Sequence, residues 1–161
     1  SPPDPQRAER KVRVGASFLH RLRLLSDVEQ RALKHSVALP KRRDVVAHKA
    51  FTSCFWPARG SVPRDVARLV ASLYFWNPKP GGKGSLVTSL QRTHRRSSLA
   101  EREMISRLVR TISESPFSLM ADPLLRAVQI LARKNEPVDW NFLLKDLSHL
   151  HRQRPSTQRT P

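Results

Sequence analysis

Arg31, Lys34 and His35 stand at i, i+3 and i+4, the spacing that gathers three side chains on one face of a helix. Arg92, Arg95 and Arg96 repeat it, Arg107 and Arg110 do so again, and Arg126, Arg133 and Lys134 follow on the next apolar-periodic segment. Lys41-Arg42-Arg43 form a short basic run, and Lys79 and Lys83 sit in a stretch rich in proline and glycine. The chemistry these residue types offer is anion recognition. A guanidinium is planar, always charged and carries five donors, so it matches phosphate oxygens and stacks on bases. One basic cluster is ordinarily a solvated helix face whose charge is neutralised by acids at i+4. Here such acids are mostly missing, and nearly every segment carries its own cluster. These residues are the candidate contacts to a phosphate backbone.

The residues that could do other chemistry are poorly placed for it. The acids are few and scattered, and none is spaced for general acid and base work. Glu101 and Glu103 lie two apart and diverge on a helix; Glu101 suits a capping role, and Glu103 can pair with Arg107 at i+4. His149 and His151 diverge for the same reason and make a poor metal pair, and His48 reads as a surface histidine. Cys54, beside Phe51, Phe55 and Trp56, reads as a small buried hydrophobe. Gly81-Gly82-Lys83-Gly84-Ser85 resembles the end of a phosphate-binding loop, but the upstream glycine and the leading strand are absent, so it reads as a flexible basic loop. Trp56, Trp76 and Trp140 offer platforms for base stacking. Each adjoins an apolar run, however, and reads as core. The expectation is a protein without catalytic residues, metal or cofactor.

Composition points the same way. The 161 residues hold 30 Lys plus Arg against 13 Asp plus Glu, a formal net charge of +17. Residues 1–60 carry 13 basic and 5 acidic residues and residues 61–161 carry 17 and 8, so the whole body is basic rather than one tail. Self-repulsion of that size strains a compact fold unless an anionic partner neutralises it. Nucleic acid is the first candidate. An anionic membrane is the competitor, but no apolar run reaches the length of a spanning helix, and no secretory leader is evident. A lone cysteine cannot form an internal disulfide, which fits a reducing cytoplasm. With 39% hydrophobic residues the chain can still build a core.

The elements that must position these residues read as helices. Residues 1–8, with three prolines, read as disordered. From Arg7, Val14, Phe18, Leu22 and Leu25 recur at helical spacing. Ser26-Asp27-Val28-Glu29 is a capping box, opening a helix that runs to about Leu39 and is stopped by Pro40. A short helix over 44–54, a loop over 55–60 and a helix with Val66, Leu69, Val70 and Leu73 on one face, ending near Trp76, complete an N-terminal lobe spanning 9–76. Residues 77–84 are the clearest breaker and read as a linker. Beyond it lie a helix from Ser85 to about His94 and one opened by a second capping box at Ser98. Asp122-Pro123 reads as cap and first residue of a third helix, and Asp139 caps the last one, through about Leu150. Residues 85–150 form the second lobe, and 151–161 read as a polar tail. The expected fold is all-α: two small helical bundles joined by a Gly/Pro/Lys-rich loop.

One family pattern emerges from the second half. Leu125-Arg126-Ala127-Val128, then Pro137-Val138-Asp139-Trp140-Asn141-Phe142-Leu143-Leu144-Lys145-Asp146-Leu147, resembles the C-terminal signature of the CasB family, the small subunit of the type I-E CRISPR Cascade surveillance complex. Ser85-Leu86 with Glu101-Arg102 and Leu108 is similar to that family's middle helices, and Phe18-Leu19 with Arg31-Ala32-Leu33-Lys34-His35 to its N-terminal helix and basic segment. The likeness spans roughly residues 10 to 150. The chain departs from the pattern after Leu150, where it runs into His151-Arg152-Gln153-Arg154-Pro155 instead of an aromatic helix, and at Lys34-His35, where two arginines are common. The resemblance implies a two-lobed helical protein, cytoplasmic and non-catalytic, that pairs head-to-tail with a second copy and joins the other Cascade subunits and crRNA. It also implies binding of target DNA, above all the displaced non-target strand, so that the R-loop is stabilised. The alternatives are a free-standing helical DNA- or RNA-binding protein outside CRISPR and a fragment of a nucleic-acid enzyme. The first lacks a convincing helix-turn-helix and the second a carboxylate cluster for metal ions.

Overall fold

The computed structural model describes residues 4–37 and 44–153, with the backbone alone for Lys11 and Val12. Asp4 sets where the first helix begins. Its carboxylate accepts from the Gln6 amide at 3.0 Å, and Pro5, whose ring fixes a helical φ, takes the first position. Helix α1 therefore spans Pro5–Arg23. Residues 5–8, which read as disordered, are helical because Asp4 caps the helix and Pro5 takes its first position, so both act as start signals rather than breakers.

Ser26 and Glu29 form the capping box that opens α2, Asp27–Ser36: the Glu29 amide donates to Ser26 Oγ at 3.3 Å and the Ser26 amide to Glu29 Oε1 at 3.1 Å. The proposed continuation to Leu39, the stop at Pro40 and the basic run Lys41-Arg42-Arg43 lie outside the described residues. Asp44 caps α3, Val45–Phe55, which passes into a one-turn 3-10 helix, Trp56–Ala58; α4 follows as Arg64–Tyr74. Ser85 caps α5, Leu86–His94, and Ser98 caps α6, Leu99–Glu114. The second box is only half made: the Glu101 carboxylate accepts from the Ser98 hydroxyl at 3.2 Å and turns to Lys134 at 2.7 Å. A 3-10 turn, Phe117–Leu119, leads closely into α7, Ala121–Arg133, so Asp122 lies inside the first turn instead of capping it. The last helix, α8, spans Trp140–Gln153 and so carries past Leu150 into the expected tail; residues 154–161 of that tail lie outside the described residues. Among the described residues the fold is all-α.

The chain divides into two compact units, Ser1–Phe75 and Trp76–Pro161. In the first, α2 packs on α3 and α4, and α1 on α3. Phe18, Leu19, Leu22, Leu33, Phe51, Val66, Val70 and Leu73 are buried, each such side chain contributing about 1.5–3 kcal/mol of transfer free energy. Phe51 meets Phe18 edge-on at 6.4 Å and stacks on Phe55 at 5.2 Å. The Tyr74 hydroxyl accepts from Arg23 Nε at 2.8 Å.

In the second unit α5, α6 and α7 pack together around Leu90, Ile105, Leu124, Val128 and Leu131, and α8 buries Trp140, Leu143, Leu144 and Leu147. Residues 77–84 belong to this unit, so the boundary falls between Phe75 and Trp76. The segment is anchored rather than a free linker. The Asn77 side chain donates to Glu136 O at 3.0 Å, Trp140 Nε1 donates to Asn77 O at 3.0 Å, and the Gly84 amide donates to Asp139 Oδ2 at 3.2 Å. Gly82 lies so close to the backbone of Val138 and Asp139 that a Cβ there would collide with both. Asp139 uses its other oxygen to cap α8, accepting from the Phe142 amide at 3.0 Å. One carboxylate thus starts the last helix and holds the glycine-rich segment against it.

Candidate nucleic-acid interface

The basic side chains sort into those the fold employs and those it leaves to solvent. Arg92 belongs to the first group: Nε meets Glu136 Oε1 at 2.8 Å, and Nη2 donates to Lys83 O and Ser89 Oγ, both at 3.0 Å. Arg96 meets the other oxygen of Glu136 at 3.2 Å. The acid that compensates them lies 40 to 44 residues away, beyond the reach of any i+4 rule. Lys134 pairs with Glu101, and Arg102, whose Nε donates to His94 O at 3.1 Å and Nη2 to Arg95 O at 3.4 Å, satisfies the C-terminal carbonyls of α5. That role suits a cation at a helix C-terminus.

The second group is exposed. Arg31 on α2, Arg95 just past α5, Arg107 and Arg110 on α6, and Arg126 on α7 point to solvent, with no ion pair or side-chain hydrogen bond among the described residues. His35, Lys79, Lys83 and Arg133 are exposed as well, and Lys34 is half-buried. A shallow open groove beside α6 is lined by His94, Leu99, Arg102, Glu103, Ser106 and Arg107. Lys41, Arg42 and Arg43 lie outside the described residues. Within the second unit, then, exposed arginines lie on α6 and α7 and beside the end of α5, while Arg92, Arg96 and Lys134 act in its packing.

Electrostatics agree with this division. The Lys134 ammonium, hydrogen-bonded to the Glu101 carboxylate, holds that carboxyl below its usual range against an opposing desolvation, with lesser help from the Ser98 hydroxyl and the charge of Arg133. Burial pushes the Cys54 thiol up, which is the signature of an inert core cysteine. Burial also lowers Arg68, whose Nη1 is enclosed without a hydrogen-bond partner among the described residues, and Asp44 partly offsets it. No group of three or more His, Cys, Asp or Glu able to hold a metal ion occurs among the described residues, and no helix there is long and apolar enough to cross a membrane.

The tryptophans separate. Trp140 is buried and Trp76 half-buried, but Trp56 is 59% exposed. Its backbone continues from α3 into a 3-10 turn, and the Arg59 guanidinium lies 3.9 Å from the ring centroid while Nη1 donates to Trp56 O at 2.9 Å. Adjacency to Phe55 made Trp56 read as core. The signal that separates it is its place one residue past the buried Phe55, about 100° further round the helix. No family model, curated protein or solved structure matches the chain.

Proposed function

We propose that this chain is a non-catalytic subunit that holds nucleic acid by its backbone within a crRNA-guided defence complex, binding the displaced DNA strand and so stabilising the R-loop. The observation that carries the reading is the set of exposed, unpaired arginines on α2, α6 and α7 in a chain of net charge +17. Such side chains gain nothing in an isolated monomer, and each can neutralise a phosphate. The residues that carry the CasB resemblance play a different part. Val138, Trp140, Leu143, Leu144 and Leu147 are core, and Asp139 is a cap and anchor. The family assignment therefore rests on a packing pattern, and the binding role on charge.

Charge of this kind suits strand displacement. Heteroduplex and duplex are nearly balanced in free energy, so a few backbone contacts tip the exchange. The test is co-expression with crRNA and the other subunits, comparing the parent chain with Arg107→Ala/Arg110→Ala. Exposed substitutions of this type change stability by about 0.5 kcal/mol or less, so assembly is expected to survive. R-loop yield should fall while PAM-dependent encounter stays nearly intact. Failure to co-purify with a complex, or parental R-loop yield in the double variant, overturns the reading. A monomer that binds one defined duplex site would favour a free-standing DNA-binding protein instead.

A further inference from the structure

We propose that Trp56 and Arg59 form a stacking platform for an unpaired nucleobase, an inference that rests on the backbone-binding reading above and adds to it a preference for single strands. Helix α3 buries Ala47, Ala50, Phe51, Cys54 and Phe55, and the turn that follows buries Ala58. At 100° per residue the opposite face carries Val45, Lys49, Thr52 and Trp56, spaced i, i+4, i+7 and i+11. Val45, Lys49 and Trp56 are exposed and Thr52 is half-buried. The stripe thus presents a cation and an indole in line, over roughly 10 Å of helix between Lys49 and Trp56, while the Thr52 hydroxyl between them donates to His48 O at 2.8 Å.

The indole is already oriented. Arg59 covers one side of the ring at 3.9 Å and is tied to the same turn by its bond to Trp56 O. The residue is 59% exposed, which leaves aromatic surface open to water. Arg64, by contrast, sits over the rings of Phe51 and Phe55 at 5.4 and 6.0 Å, on the buried face of α3, so Arg59 is the cation that lies on the indole. An exposed aromatic backed by a guanidinium stacks an unpaired base and takes its phosphates on the neighbouring charges, whereas the bases of a duplex are closed to it. Arginines at solvent-exposed positions alone would not distinguish the two forms.

The full chain, Trp56→Ala and Trp56→Phe are compared by anisotropy titration on labelled oligothymidine, on an abasic strand of equal length and on a duplex. The expected result is a loss of about 5- to 150-fold on oligothymidine for Trp56→Ala, the range of one stacked base. Trp56→Phe should retain most of the affinity, and abasic and duplex affinities should be unchanged in both variants. Parental affinity of Trp56→Ala for oligothymidine, or an equal loss on the abasic strand, overturns the platform while leaving backbone binding intact. A parent that binds none of the three strands overturns both.

Discussion

Replacing Glu136 by Gln removes the acid that Arg92 and Arg96 share and should separate the structural from the binding arginines. Glu136 is 18% exposed at its side chain, against 43% for Arg92 and 54% for Arg96. Exposed ion pairs contribute about 0.2–1 kcal/mol each. The shielded carboxylate and the short 2.8 Å contact put these two at the upper end, so the change should cost about 1–2 kcal/mol in all. In a unit of this size each kcal/mol lowers Tm by about 4–8 °C, and the buried Trp140 reports it in near-ultraviolet circular dichroism. Arg92→Ala should lose at least as much stability, because it also drops the bonds to Lys83 O and Ser89 Oγ. Nucleic-acid affinity should respond differently. Glu136→Gln unpairs the charge of Arg96 and of Arg92, which stays tied to Lys83 O and Ser89 Oγ, and removes one negative charge, so single-strand binding should tighten and its log–log salt slope steepen by about 0.7 for each phosphate gained. A double-mutant cycle of Arg92→Ala with Glu136→Gln should give a coupling of about 0.5 kcal/mol or more. Parental Tm for Glu136→Gln, or weaker binding, would refute the division of arginines into packing and contact groups.

Three further outcomes follow from the same structure. Gly82→Ala forces a Cβ into the backbone of Val138 and Asp139, and thermal unfolding should show a loss of about 1–3 kcal/mol, the usual cost of overpacking; unchanged Tm would mean the segment is not seated there. Glu101 has a folded pKa below its unfolded value, so the contribution of its pair with Lys134 is complete above about pH 4.3 and is lost as pH falls through the lower folded value. A carbon-detected NMR titration should show the depressed midpoint, and Lys134→Ala should bring it back toward the ordinary carboxylate value. Arg68→Met replaces a guanidinium whose Nη1 is enclosed without a hydrogen-bond partner among the described residues, so chemical unfolding should show equal stability or a gain of up to about 1 kcal/mol; a large loss would show that its placement over the Phe51 ring holds the first unit together.

Local signals carried most of the helix map. Ser26 with Glu29, Ser85, Ser98 and Asp139 each open a helix where their side-chain chemistry suggests, because a cap is decided within three residues. The apolar faces of Phe18 with Leu22 and of Val66 with Val70 and Leu73 are buried as their period requires. Long-range partners were illegible. Glycines and prolines in residues 77–84 read as a linker, since Glu136, Val138 and Asp139, which seat the segment, follow more than fifty residues later. Arg92 and Arg96 read as free because Glu136 lies 44 and 40 residues beyond them. Trp56 read as core because an adjacent phenylalanine is core, although neighbouring residues on a helix point about 100° apart.

The salt dependence of affinity for single strands of unrelated sequence, measured on the parent chain and on Arg107→Ala/Arg110→Ala, tests the binding role most directly. The parent should bind all sequences alike, with log K falling linearly against log salt by about 0.7 for each phosphate neutralised, and the double variant should be shallower by about 1.4. A flat response, a strong preference for one sequence, or a parental slope in the double variant would contradict backbone binding through the exposed arginines.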